Sequence, residues 1–302
     1  MLSSLGVSDP FDPDHRLVTS PLYSPRTLAL QRLVLAIYGC TTLIVSLVYE
    51  SVVLRQGNIW FSFFTHLAFI GLTAYFVAST YHGFNYKPTS SSVYAFPLQQ
   101  WPRPLQALHV MLMSTVTTFP ILVTICYWAL IASPATFATP YLTWSASSLH
   151  ILNSAFVLLE ITTTNISPLP WMALPMCLIL LLAYLGMAYI THATQGVYTY
   201  TFLDPQTQHA KIAAYIVGIA VGEVIIFVLV RYAIITRDRV FKFSSYHVQD
   251  DQKFGAQKEE LNEWEEVEWN EVGGRESTHS AGSGTSPGSR KQTTEVGMGV
   301  AV

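Results

Sequence analysis

The chain has 302 residues, of which 51% are hydrophobic and 12% charged, about half the charged share of an average soluble domain. Residues 246–302 alone carry 5 basic and 11 acidic residues, so the preceding stretch is sparsely charged and an ordinary soluble globule is excluded. The formal net charge is −3, and the basic residues sit at the ends of apolar runs rather than in one patch, which argues against a nucleic-acid partner.

Residues 1–27 contain Pro10, Pro13, Pro21, Pro25 and three aspartates without an apolar core. They read as a cytosolic segment with no cleavable signal peptide. Apolar runs long enough to cross about 30 Å of hydrocarbon follow at 33–53, 59–79, 105–131, 142–160, 172–190 and 212–235. They predict an all-α polytopic membrane bundle of about six transmembrane helices within residues 28–243. Arg16, Arg26, Arg32, Lys87, Arg103, Arg237, Arg239 and Lys242 fall on the side of the termini, against Arg55 and Lys211 opposite. The positive-inside rule then puts both termini in the cytosol, and the Asn165-Ile166-Ser167 sequon with them, unmodified. The chain ends Val300-Ala301-Val302 without a Lys-Asp-Glu-Leu signal, and the endoplasmic reticulum or the plasma membrane is the expected location.

The spans carry their own punctuation. Phe119-Pro120 is expected to kink the third helix and Pro168 and Pro170 to break the chain before the fifth. Gly218 and Gly222 form a GxxxG in the sixth that would admit a close neighbour. Trp60, Trp101, Trp128, Trp144 and Trp171 lie near span ends, as interfacial anchors do. Cys40, Cys126 and Cys177 lie inside apolar runs without metal-ligand spacing and read as buried thiols. Residues 244–302 turn acidic and then Gly/Ser-rich, the composition of a disordered cytosolic tail. Leu261, Trp264 and Trp269 within it could form a short partner motif.

An ionisable side chain is costly in hydrocarbon, so it usually faces the bundle interior and marks a function. His66, His150 and Glu223 lie within spans; Glu50, Glu160, His109, His192 and Arg231 lie near span ends, where snorkelling or capping accounts for them. His150 stands about 12 Å into the fourth span at 1.5 Å per residue, with Ser147, Asn153 and Ser154 on the same helical face. Thr65 lies about 9 Å into the second span, which enters from the same side. A hydroxyl and an imidazole at similar depth are the minimum for nucleophilic catalysis, and Asn153 would orient the ring as a third member. The same residues also suit plainer roles, a threonine bonding to its preceding turn and a histidine bridging two helices. Ser62 and His66, at i and i+4, could form a local dyad. Glu223 beside Gly222 could serve a proton or cation path in a transporter, or in a signalling scaffold without hydrolase activity. No Gly-rich phosphate loop, HExxH pair, GxSxG elbow or His-rich box is present, so no metal or other cofactor is expected.

The stretch Trp144-Ser145-Ala146-Ser147-Ser148-Leu149-His150, followed by Val157-Leu158-Leu159-Glu160, resembles the fourth span of the androgen-induced-gene family, which includes the androgen-dependent TFPI-regulating protein. Phe119-Pro120 with Tyr127-Trp128, Thr191-His192-Ala193-Thr194, Tyr200-Thr201-Phe202-Leu203 and Phe63-Phe64-Thr65 are similar to further family segments. The likeness covers most of residues 30–236 and neither tail. It implies a membrane-embedded threonine hydrolase that cleaves fatty acid esters of hydroxy fatty acids. Carried over by motif, the catalytic threonine falls on Thr65 and the histidine on His150, with Asn153, Ser147 and Glu160 as candidate supporting residues. Ala68, Thr194-Gln195-Gly196 and Ser147 depart from the family pattern, and the departures bear on substrate choice. The expected partners are a lipid ester and membrane lipids, with the acyl chain against Phe61, Phe64, Phe69 and Phe119. No oxyanion-stabilising group can be named from the sequence.

Overall fold

The computed structural model describes residues 3–87 and 94–241; the tail expected from residue 244, with its Leu261, Trp264 and Trp269, lies outside the described residues. Every regular element among the described residues is helical. Six long helices follow in order: α1 Pro25–Val52, α2 Phe64–Phe84, α3 Arg103–Ile131, α4 Pro140–Thr163, α5 Ala173–Gln195 and α6 Lys211–Phe241. All except α2 are long and apolar enough to cross a membrane on composition alone. The exception is the inner helix: α2 packs between α1 and α3, and its polar residues Thr73, Ser79, Thr80 and His82 are buried. Val34, Ile37, Ile44 and Val48 of α1, Leu182 and Ile190 of α5 and Leu229 of α6 are exposed instead. These helices turn apolar faces outward, as a bilayer requires. The chain is a multi-pass membrane protein.

Local chemistry sets the helix ends. Ser24 accepts from the Thr27 N–H at the start of α1, with Pro25 in the first turn, and Thr139 accepts from the Leu142 N–H ahead of Pro140 in α4. Gly196, at φ +71°, ends α5 by returning its N–H to the His192 carbonyl. The second helix starts later than its apolar run suggests, because residues Gly57–Ser62 wind into a 3₁₀ segment and α2 begins at Phe64. The third helix runs through Pro120 and then widens into a π-helical segment, Tyr127–Ile131. A second π-helical segment, Ser148–Leu152, interrupts α4.

Several expectations are corrected. Close approach belongs to the α1–α2 seam, where a Cβ on Gly39 would lie 2.5 Å from Thr73 Oγ1 and one on Gly83 2.9 Å from Ala29 Cβ. Gly218 has nothing within 4 Å, and a Cβ on Gly222 would make only ordinary contact with Leu122 at 3.6 Å. Trp60 is no interfacial anchor: it is buried, donates to Ser46 Oγ at 2.8 Å and stacks on His66. Cys40 is exposed and Cys126 half-buried, so only Cys177 is a buried thiol.

Two polar assemblies close one end of the bundle. Arg32, fully buried, pairs with Glu160 through Nη2–Oε1 at 2.5 Å and Nε–Oε2 at 3.3 Å; Tyr75 donates to Glu160 at 2.7 Å and Arg32 also donates to the Leu17 carbonyl. The segment before α1 folds over this end. Arg16 donates to the Asn165 carbonyl at 2.7 Å and pairs with Asp238, while Gln99 donates to the carbonyls of Phe11 and Asp12.

Candidate active site

Thr65 is the second residue of α2 and is nearly buried, at 9% exposure. The first backbone N–H groups of a helix have no intrahelical acceptor, and two tyrosines cover them here. Tyr184 of α5 interacts with the Phe64 backbone and donates its hydroxyl to the Ser62 carbonyl at 2.9 Å. Tyr200, in the loop after α5, reaches both the hydroxyl and the backbone of Thr65, and its hydroxyl also meets that of Tyr184. Burial, and then the neighbouring Tyr184, hold the Tyr200 phenol above its ordinary pKa, so it stays protonated. The ring is fixed by stacking on Phe202 at 5.1 Å and edge-on contact with Phe63 at 5.9 Å.

A cavity of about 260 Å³ opens beside Thr65, walled by α3, α5, α6 and the Tyr200 loop. Its lining is apolar apart from Thr65, the phenols of Tyr127, Tyr184 and Tyr200, and the Cys126 thiol. Leu182 lines it and is also 67% exposed on the outer face of α5, so the cavity communicates with the lipid-facing surface. A second apolar cavity of about 310 Å³ lies across Phe64 and Tyr184, which line both.

His150 sits in the π-helical segment of α4, 8% exposed. Its ring stacks on Tyr127 at 3.5 Å and 4°, and Trp128 Nε1 donates to the His150 carbonyl at 3.2 Å. Two π-helical segments therefore face each other, a local distortion that is frequent at functional sites. The His150 Nδ1 is buried and has no hydrogen-bond partner. Among the described residues no hydrogen bond joins Thr65 to His150. Tyr127 is their common neighbour, lining the cavity with Thr65 and stacking on His150.

The remaining candidates have other occupations. Asn153 Oδ1 accepts from the Thr124 hydroxyl at 3.1 Å and from the Ser154 N–H at 2.6 Å, so it ties α4 to α3 rather than orienting the imidazole. Ser147 is half-buried; its neighbour Ser148 is the one that is fully buried and bonded, to the Tyr38 hydroxyl at 2.8 Å. Glu160, ten residues after His150 and about 15 Å further along the helix, belongs to the Arg32 ion pair. Ser62 and His66 form no dyad: the Ser62 hydroxyl accepts from Thr191 at 3.1 Å, and His66 Nδ1 meets the Trp60 carbonyl at 2.7 Å. Glu223 is fully buried, and among the described residues neither of its oxygens has a hydrogen-bond partner; the Thr118 hydroxyl near it donates to the Ser114 carbonyl. Of the four phenylalanines, Phe64 lines both cavities and Phe119 the second, whereas Phe69 is in the core and Phe61 is 54% exposed.

Tyr127, Tyr184 and Tyr200 are the residues that sequence reading passed over. Tyrosines near span ends read as interfacial anchors, and only the return of the loop after α5 to the start of α2 reveals these as site groups. Glu50, read from the sequence as a span-end residue that snorkelling or capping accounts for, lies 3.7 Å from His66 Nε2. Among the described residues no three His, Cys, Asp or Glu side chains converge as a metal site. No protein-family model, curated protein or solved structure matches the chain.

Proposed function

We propose that the protein is a membrane-embedded lipid ester hydrolase, akin to the androgen-induced-gene family, with Thr65 as nucleophile and His150 as base. The observation that carries this reading is the position of Thr65: it supplies the one aliphatic hydroxyl in the wall of an apolar cavity that opens toward lipid. Such a cavity admits an acyl chain laterally and leaves few polar groups to fix the ester. Two cavities that share Phe64 and Tyr184 suit an ester with an apolar arm on each side, such as a fatty acid ester of a hydroxy fatty acid.

In this reading the Thr65 oxygen attacks the ester carbonyl carbon and its proton passes to His150, which returns a proton to the departing alkoxide. Water then hydrolyses the acyl-threonine, with His150 again taking the proton. The unpartnered Nδ1 leaves His150 free for that exchange, and catalytic hydrogen bonds that are open in a free enzyme commonly close only around substrate. The protein resides in the endoplasmic reticulum or plasma membrane with cytosolic termini, so water reaches Thr65 from the opposite side.

The test is fluorophosphonate labelling of membranes containing wild type, Thr65→Ala or His150→Ala, with hydrolysis of a branched fatty ester followed in parallel. Labelling and turnover are expected in the wild type and lost in both variants, with thermal unfolding in detergent preserved. Full esterase activity in either variant overturns the assignment. The unpartnered carboxyl of Glu223 favours the second reading, a transport or scaffold protein, and an unlabelled, inactive wild type would shift the weight there.

A further inference from the structure

A threonine hydrolase needs donors for the negative oxygen that forms when its hydroxyl attacks a carbonyl, and preorganised donors of this kind are commonly the largest single contribution to rate. The cavity wall offers few. Cys126 is a weak donor, Tyr184 has committed its proton to the Ser62 carbonyl at 2.9 Å, and the Tyr127 hydroxyl is shared with the Thr136 hydroxyl at 3.3 Å. Tyr200 differs on each count. It lines the cavity together with Thr65 and Tyr184, its hydroxyl interacts with Thr65, its ring is clamped between Phe63 and Phe202, and its proton has another phenol as neighbour rather than a carbonyl.

We infer that Tyr200 is the oxyanion donor of the site, its O–H turning from Tyr184 to the carbonyl oxygen of a bound ester as Thr65 attacks. The inference rests on the reading of Thr65 as nucleophile. As the Thr65 oxygen bonds to the carbonyl carbon, the π electron pair moves onto the carbonyl oxygen, and the Tyr200 O–H donates to that oxygen without giving up its proton. Collapse of the intermediate returns the pair to the carbonyl and expels the alkoxide, which takes its proton from His150. Burial raises the Tyr200 pKa above its ordinary value, which favours the protonated phenol that a donor must be.

The experiment uses the full-length protein in detergent or proteoliposomes and compares wild type, Thr65→Ala, Tyr200→Phe and Tyr198→Phe. Tyr198 is two residues away, stacked on His192 and absent from the cavity wall. Three readouts are taken on a chromogenic fatty ester: kcat, KM, and inhibition by a trifluoromethyl ketone, which forms a tetrahedral oxyanion with the nucleophile. Tyr200→Phe is expected to lower kcat about 100- to 1,000-fold at a KM within about twofold of wild type. Ketone affinity should weaken in step, equally at pH 6 and pH 9, while Tyr198→Phe behaves as wild type. If wild type and Thr65→Ala behave as the hydrolase reading requires but Tyr200→Phe keeps wild-type kcat, or loses kcat with ketone affinity unchanged, Tyr200 is not the oxyanion donor and only this inference falls. If the wild type neither turns over nor binds the ketone, the Thr65 reading fails and takes this one with it.

Discussion

Glu160 and His150 occupy the same helix ten residues apart, and the fold treats them in opposite ways. Around Glu160 each strong group has a partner: Arg32 gives two donors, Tyr75 a third, and the remaining Arg32 nitrogen reaches the Leu17 carbonyl. Around His150 and Thr65 the polar atoms are fewer and less committed, with Nδ1 of His150 unpartnered and Tyr200 facing another phenol. A buried ion pair that is fully hydrogen-bonded holds helices in register, whereas groups left partly unsatisfied remain available to a ligand. The difference concentrates committed polar bonds at one end of the bundle and leaves the proposed site at the other with polar atoms to spare.

The contrast breaks most readily at Arg32. Arg32→Met leaves Glu160 as an uncompensated buried charge and is expected to cost about 3–5 kcal/mol, read as a large fall in the midpoint of thermal unfolding in detergent. The double variant Arg32→Met with Glu160→Leu should recover most of that loss; no recovery would mean that the pair does more than satisfy itself. Gly83 comes next. Gly83→Ala pushes a methyl against Ala29 and should cost about 1–3 kcal/mol of overpacking. Gly218→Ala meets open space and should stabilise by about 0.5–1 kcal/mol through helix propensity alone, so a destabilised Gly218→Ala would reveal a neighbour in that groove. Trp128→Phe deletes the bond to the His150 carbonyl and should cost about 0.5–1.5 kcal/mol, with a fall in turnover larger than that stability change suggests. His150→Asn gives up the buried stacking on Tyr127 and should cost only about 0.5–1.5 kcal/mol, although its turnover should vanish. A strongly destabilised His150→Asn would move this end into the structural class of Glu160.

Helix number and order were legible because hydrocarbon thickness imposes length on apolar runs. Ends were less so: residues 59–63 are as apolar as α2 itself, and nothing local distinguishes the 3₁₀ turn that moves Thr65 from about 9 Å into its span to the first turn of its helix. His150 stood out on a greasy helix, but its stripe-mates misled. Asn153 is taken up by Thr124 and Ser154 Oγ by the Pro120 carbonyl, both choices set by the register of α3 against α4. The Arg32–Glu160 pair spans 128 positions, a separation at which sequence offers two charges near span ends and no sign that they meet. Tyr200 was visible only as part of a family-like motif, since its closeness to Thr65 depends on how the loop after α5 folds back.

The segment ahead of α1 has a consequence for biogenesis. Arg16 is bound at once to the Asn165 carbonyl, in the stretch between α4 and α5, and to Asp238 near the end of α6, while Arg237 beside it reaches the carbonyls of Ile161 and Ile166. The chain thus closes on itself through the segment made before the first helix and the end of the sixth. Helices α1 to α5 can enter the membrane one by one, but the clasp cannot shut until α6 has emerged, so the finished bundle is assembled after insertion rather than during it.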